Sequence, residues 1–191
     1  MKKIITCLLT LSMMFMFSAT AFASDFSGNA ESELSNISDK IVTAVNDVYS
    51  DKNISITAED INYDSAFKIY VDTNVFKLST NVVGEIENAL ENGNYIYLLP
   101  IDTVNGTVVV NFQKGLPLSE NAKAILSEEE QQEVLDNAGK WVISSLALYK
   151  NGNSNYDYEK KLSSIIDEIP ADTILVGGLP IFQDVVALIP N

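Results

Sequence analysis

Tyr95-Ile-Tyr-Leu-Leu-Pro-Ile101, then Asn105-Gly106, then Thr107-Val-Val-Val-Asn-Phe112 is the stretch that decides the fold. Two runs of β-branched and aromatic residues joined by Asn-Gly are the strongest short-range signal for a β-hairpin, because both positions of a tight hairpin turn favour positive φ. The arms are apolar at nearly every residue instead of at every second one. That predicts a pair of strands near the centre of a sheet, covered on both faces.

Towards the N-terminus the sequence offers the covering helices. Ser79 is placed as an N-cap, with Leu78 and Val83 set to staple across it, Ile86 and Leu90 on a buried face, and Gly93 just past the end. Phe67, Ile69 and Val71 alternate with Lys68, Tyr70 and Asp72, the period of a half-buried strand. Ile54 to Ile61 reads two ways, since Thr57-Ala-Glu-Asp60 caps a short helix while Ile54 and Ile56 alternate as in a strand. Leu34, Ile37, Ile41, Ala44, Val45 and Val48 recur at three and four residue steps, predicting a helix from about Ala30 to Ser50.

Towards the C-terminus the chain turns helical from Pro117, and Ser127-Glu-Glu-Glu130 is a capping box heading a long helix. Val134, Ala138, Trp141, Val142, Ser145 and Tyr149 fall on one side of it, where Trp141 reads as core and not as the wall of a ligand groove. Asn151 to Asn155 is a turn, and Tyr158, Leu162, Ile165, Ile166 and Ile169 define a last helix before Pro170. Thr173 to Val176, a Gly177-Gly178 break and an apolar run from Ile181 to Ile189 follow. The expected fold is α+β, an antiparallel sheet around the hairpin 95–112 packed by four to five helices. Residues 24–191 are expected to form one domain, with two lobes (24–114 and 115–191) as the alternative. Leu188-Ile189-Pro190 echoes Leu98-Leu99-Pro100, so the end reads either as a terminal strand or as the first arm of a hairpin in a longer chain.

Residues 1–23 have another purpose. Lys2 and Lys3 precede an apolar run from Ile4 to Phe17, and Ala21 and Ala23 occupy −3 and −1 before Ser24. This is the pattern of a secretory signal peptide cleaved after Ala23, and its core is too short for a membrane anchor. Cleavage would remove the single cysteine, Cys7, which lies too early in the apolar core to be a lipid-modified residue. It also removes two lysines and no acid, so the formal charge moves from −14 to −16. An exported chain without disulfides must rest on its apolar core.

The remaining chemistry is mostly exclusion. Every basic residue is lysine and no histidine occurs, a bias of low-GC bacterial genomes that points to a Gram-positive secretor. Acidity argues against nucleic acid or an anionic lipid surface as partner. Without histidine or mature cysteine there is no Ser-His-Asp or Cys-His site and no His-bound zinc. Ser65-Ala-Phe-Lys68 has the Ser-x-x-Lys spacing of penicillin-binding proteins and β-lactamases, but the serine runs into a strand and the companion motifs are missing. Asp72-Thr73 and Asp172-Thr173 lack the glycine of aspartic protease loops. Asp51-x-Asn53-x-Ser55-x-Thr57 and Asn153-x-Asn155-x-Asp157 alternate oxygen ligands without the glycine and glutamate that a calcium loop requires. Leu116-Pro-Leu-Ser119 lacks the Thr-Gly of a sortase signal. No catalytic, cofactor or metal residue is assigned. The sequence implies a secreted, acidic, non-enzymatic interaction or accessory domain, its partner an extracellular protein or wall component, with a carboxylate-based glycan hydrolase or a pro-domain or inhibitor of a secreted enzyme as alternatives.

Overall fold

The structure is a computed structural model and describes residues 25–78, 85–179 and 184–189. Ala21, Ala23 and Ser24 of the cleavage pattern, the Ser79 cap and the Val83 staple lie outside the described residues, as does much of the run from Ile181.

Among the described residues six strands form one mixed sheet: β1 (Phe67–Val71), β2 (Asn94–Thr103), β3 (Gly106–Lys114), β4 (Trp141–Tyr149), β5 (Ile174–Val176) and β6 (Val186–Leu188), in the order β4-β3-β2-β1-β5-β6. Every neighbouring pair is antiparallel except β1 and β5, which run parallel. Strands from before and after residue 115 therefore share one sheet. The class is α+β as expected, and the purely antiparallel sheet is corrected to a mixed one.

The hairpin forms where the sequence puts it, with its turn moved by one residue. Thr103 pairs with Gly106, so Val104 and Asn105 make the loop, and neither takes positive φ. Gly106 opens β3 at φ +136, and a Cβ there would collide with the Tyr149 carbonyl of β4. Glycine is thus demanded by strand packing, with the turn itself fixed by Asn105, whose Nδ2 donates to the Lys52 carbonyl at 3.0 Å. Pro100 sits inside β2 without breaking the sheet, because β1 begins pairing only at Leu98 and has run out at that level.

One face of the sheet is covered by α1 (Ala30–Leu34) and α2 (Ser38–Val48), joined by a 3-10 turn over Ser35–Ile37. Ala30, Leu34, Ile41 and Val45 are buried on Tyr97, Leu99, Ile101, Val108, Val110 and Phe112, while Val48 faces solvent. Residues 54–61 resolve to irregular backbone with one 3-10 turn, Ala58–Asp60, capped by Thr57 as a capping box. Ile54, Ile56 and Ile61 are nonetheless buried. Asn46 on α2 takes the place of a neighbouring strand, accepting the Ile56 N–H at 2.8 Å and donating to the Ile56 carbonyl at 3.0 Å. The short α3 (Glu85–Glu91) brings Ile86 and Leu90 against Val75, Val176 and Leu179 near the β5–β6 end.

The opposite face is covered by Phe26 and by α6 (Tyr158–Ser163), which pack on Phe67, Ile69 and Leu175. The expected last helix is shorter than its apolar spacing suggested: Ile165 is exposed and Ile169 reaches the core from irregular chain.

The largest correction concerns residues 138–149. After α4 (Glu120–Lys123), the Ser127 capping box does head a helix, α5 (Glu128–Asn137), but that helix ends where Gly139 turns left-handed at φ +72. Trp141 to Tyr149 is strand β4, paired along β3. The helical spacing of Val134, Ala138, Trp141 and Ser145 ran across a helix stop. Within the run Trp-Val-Ile-Ser-Ser-Leu-Ala-Leu-Tyr, strand preference and a ladder of eight residue pairs with β3 outweigh it.

Candidate functional site

A cleft of about 310 Å³ opens at the end of the sheet where β1 begins and β2 ends. Its walls come from the 57–65 turns, the end of β2 and the segment entering α6, and Phe26, Phe67 and Pro100 supply apolar surface. Among the described residues five carboxylates line it, Asp60, Asp64, Asp102, Asp157 and Glu159, and no lysine does.

Three of those carboxylates hold the cleft together. Asp60 accepts the Thr57 N–H at 2.7 Å and the Thr57 hydroxyl at 2.9 Å, and the backbone donor beside it holds its carboxyl below the usual range. Asp102 accepts the Thr107 hydroxyl at 2.7 Å, and Thr107 accepts the Tyr156 hydroxyl at 2.9 Å, a chain that ties β2 to β3 and to the entry of α6. Asp157 caps α6 by accepting the Lys160 N–H at 2.9 Å. Among the described residues the carboxylates of Asp64 and Glu159 have no hydrogen bond and no ion pair, and both side chains are exposed. A general acid needs a carboxyl whose environment favours the protonated form. Asp60 has the reverse, and Asp102 and Asp157 are committed to structural donors.

The motifs raised by the sequence separate in space or turn out to be local scaffolding. Ser65 donates its hydroxyl to the Asn62 carbonyl at 2.6 Å, whereas the Lys68 ammonium lies 4.0 Å above the Tyr95 ring. Asp72 follows β1 and Asp172 precedes β5. The Ile69–Leu175 register puts Asp172 level with Ala66, six residues from Asp72 and about 20 Å along the strand. Asn53 takes left-handed φ after a 3-10 turn, and Asn153 accepts the Asn155 N–H at 3.1 Å as an ordinary Asx turn. Among the described residues no three histidine, cysteine or acidic side chains are grouped to hold a metal ion, and no helix is long and apolar enough to cross a membrane.

A second polar centre was not foreseen. Glu33 of α1 is fixed to the sheet by three aromatic donors: Tyr95 Oη at 2.9 Å from both carboxylate oxygens, Tyr97 Oη at 3.2 Å and Trp141 Nε1 at 2.9 Å. The three rings pack with centroids 5.2–5.7 Å apart. Tyr95-x-Tyr97 on one face of β2 was the available signal; Trp141 joins them only because it lies on β4 and not on a helix. Three donors converge on this carboxylate, and the centre pins α1 across β2 and β4.

Burial, then the hydrogen bond and charge of Glu33, push the Tyr95 hydroxyl up to about 12, and Tyr97 is raised by burial and by Glu33 in the same direction. Burial followed by the charge of Asp184 pushes Tyr158 up to about 12. In the unfolded chain these phenols release protons near 10.0, while the folded chain keeps them. Above pH 10 the unfolded state therefore binds fewer protons, and the stability contributed by these groups, whole below that point, is lost as pH rises towards 12. The expected result is a tyrosinate absorbance titration in which these three of the eight tyrosines ionise above the ordinary phenol range, Tyr95 and Tyr158 near 12. Reversible ionisation of all eight near pH 10 would contradict it.

No family model matches the chain, and neither a curated protein nor a solved structure does.

Proposed function

We propose that the chain is an exported, non-enzymatic binding domain that takes a lysine- or arginine-rich segment of an extracellular protein into the carboxylate cleft. The observation that carries this reading is a concave site lined, among the described residues, by five carboxylates and no lysine beside the apolar Phe26, Phe67 and Pro100, in which Asp64 and Glu159 have no partner among the described residues. Such a site concentrates positive ligands and repels the anionic ones already disfavoured by the formal charge of −14. The apolar surface of Phe26, Phe67 and Pro100 would hold the aliphatic stems of long basic side chains. Export rests on the signal-peptide pattern of residues 1–23 in the sequence.

The carboxylate hydrolase alternative has its foothold in the same cleft, since paired acids are its only available chemistry. Three of the five carboxylates being committed to caps and cross-strand bonds favours binding over it. A pro-domain or inhibitor is the case in which the basic segment belongs to a secreted enzyme.

The test is capture from culture supernatant and wall fraction, using residues 24–191 and the variant Asp64→Asn/Glu159→Gln, which removes the two carboxylates that support nothing else. One stoichiometric basic protein held by the native chain and lost from the variant is the expected result. Glycan turnover by the native chain that the variant abolishes would replace binding with catalysis.

A further inference from the structure

The sheet has two edges of very different character. β6 is three residues long, whereas β4 presents nine residues, none charged and none proline, and β3 is the element packed along its length. Exposed strand edges invite pairing and are ordinarily blunted by short length, proline or inward charges. β4 has one such device, a bulge: Asn111 pairs with Ser145 and Phe112 with Ile143, leaving Ser144 over. The straight portion of the edge is therefore Ser145-Leu-Ala-Leu-Tyr149.

From this we infer that β4 is a self-association edge, on which a second copy of the chain adds antiparallel about a two-fold axis at Ala147. The segment is its own complement. In that register Leu146 faces the second copy's Leu148, Ala147 faces Ala147, and Ser145 faces Tyr149, so no like charges oppose each other along the seam. The charges at the ends select the register. An axis at Ser145 would set Lys140 opposite the second copy's Lys150, a destabilising pair, whereas the axis at Ala147 sets Lys150 opposite Ser144. Two chains of such strong negative charge repel wherever acids meet, so an uncharged strand is where they can approach. The two six-stranded sheets would become one continuous sheet of twelve strands.

The mature chain has no cysteine, which permits a direct test. Sedimentation of residues 24–191 from about 1 to about 100 µM should show the mass doubling with concentration. Added salt should strengthen the association, because it screens repulsion between acidic copies while the seam itself carries no charge. Ala147→Cys places a single thiol opposite its own copy and should oxidise to a covalent dimer at least about tenfold faster than Val104→Cys at the exposed hairpin tip. The native-chain mass requires no substitution, so a misfolded variant cannot mask the answer. A native chain still monomeric at the top of that range overturns the inference, even if an extended peptide of another protein binds the edge. So does a dimer in which Ala147→Cys links no faster than Val104→Cys, since the contact would then lie elsewhere.

Discussion

Replacing Glu33 with alanine is expected to lower stability by about 3 kcal/mol, one of the two largest single effects in the chain. Three donors lose their acceptor together. The ring of Tyr97 is completely buried, so its hydroxyl has no route to water and bears the full cost of an unsatisfied group, about 1–3 kcal/mol. Tyr95 and Trp141 are half-buried and recover part of theirs from solvent. Lost charge-assisted bonding makes up the remainder. Glu33→Gln should fall between the two, since its amide oxygen still accepts while its NH₂ faces donors. Denaturant unfolding measures the loss, and Trp141, the single tryptophan, reports on the site itself. Its emission should shift in folded Glu33→Ala, because the indole N–H has lost its carboxylate. Unchanged stability together with unchanged emission would mean that Glu33 does not pin α1 to the sheet.

Phe112→Ala should cost about 4 kcal/mol. Phe112 is completely buried on β3, beneath α1 and α2 and beside the bulge opposite Ile143. The neighbours that would have to close the space are held on two sides by strand pairing, which limits collapse and leaves a cavity. At about 2–4 °C per kcal/mol for a chain of this size, the midpoint should drop by about 12 °C. Phe112→Leu keeps most of the volume and should lose about 1 kcal/mol. A midpoint drop below about 4 °C for the alanine variant would show that the helix-covered face is not the main core.

What could be read in the sequence follows how local each signal is. The hairpin, the Ser127 capping box and the alternation of Phe67, Ile69 and Val71 are decided within a few residues, and the structure has all three. Trp141 to Tyr149 went to the wrong element because its apolar spacing suits a helix as well as a strand. The arbiter is Gly139 together with a partner strand more than twenty residues earlier. The turn residue moved by one because Gly106 is required by the Tyr149 backbone of β4, a contact that no window around Asn105-Gly106 contains. Cleft and Glu33 centre were both illegible for the same reason. Asp60, Asp102 and Glu159, like Glu33, Tyr95 and Trp141, are brought together by topology from distant parts of the chain, and a single acid among 26 carries no mark of its neighbours.

Binding of a basic segment in the cleft is tested most directly by titrating a fluorescent oligolysine peptide into residues 24–191 and into Asp64→Asn/Glu159→Gln at low and at physiological ionic strength. Binding to the native chain that weakens with salt and falls at least about fivefold in the variant, with the fold intact by denaturant midpoint, is the expected result. Equal affinity in the two proteins would contradict it, because the charge responsible would then be spread over the surface and not gathered in the cleft.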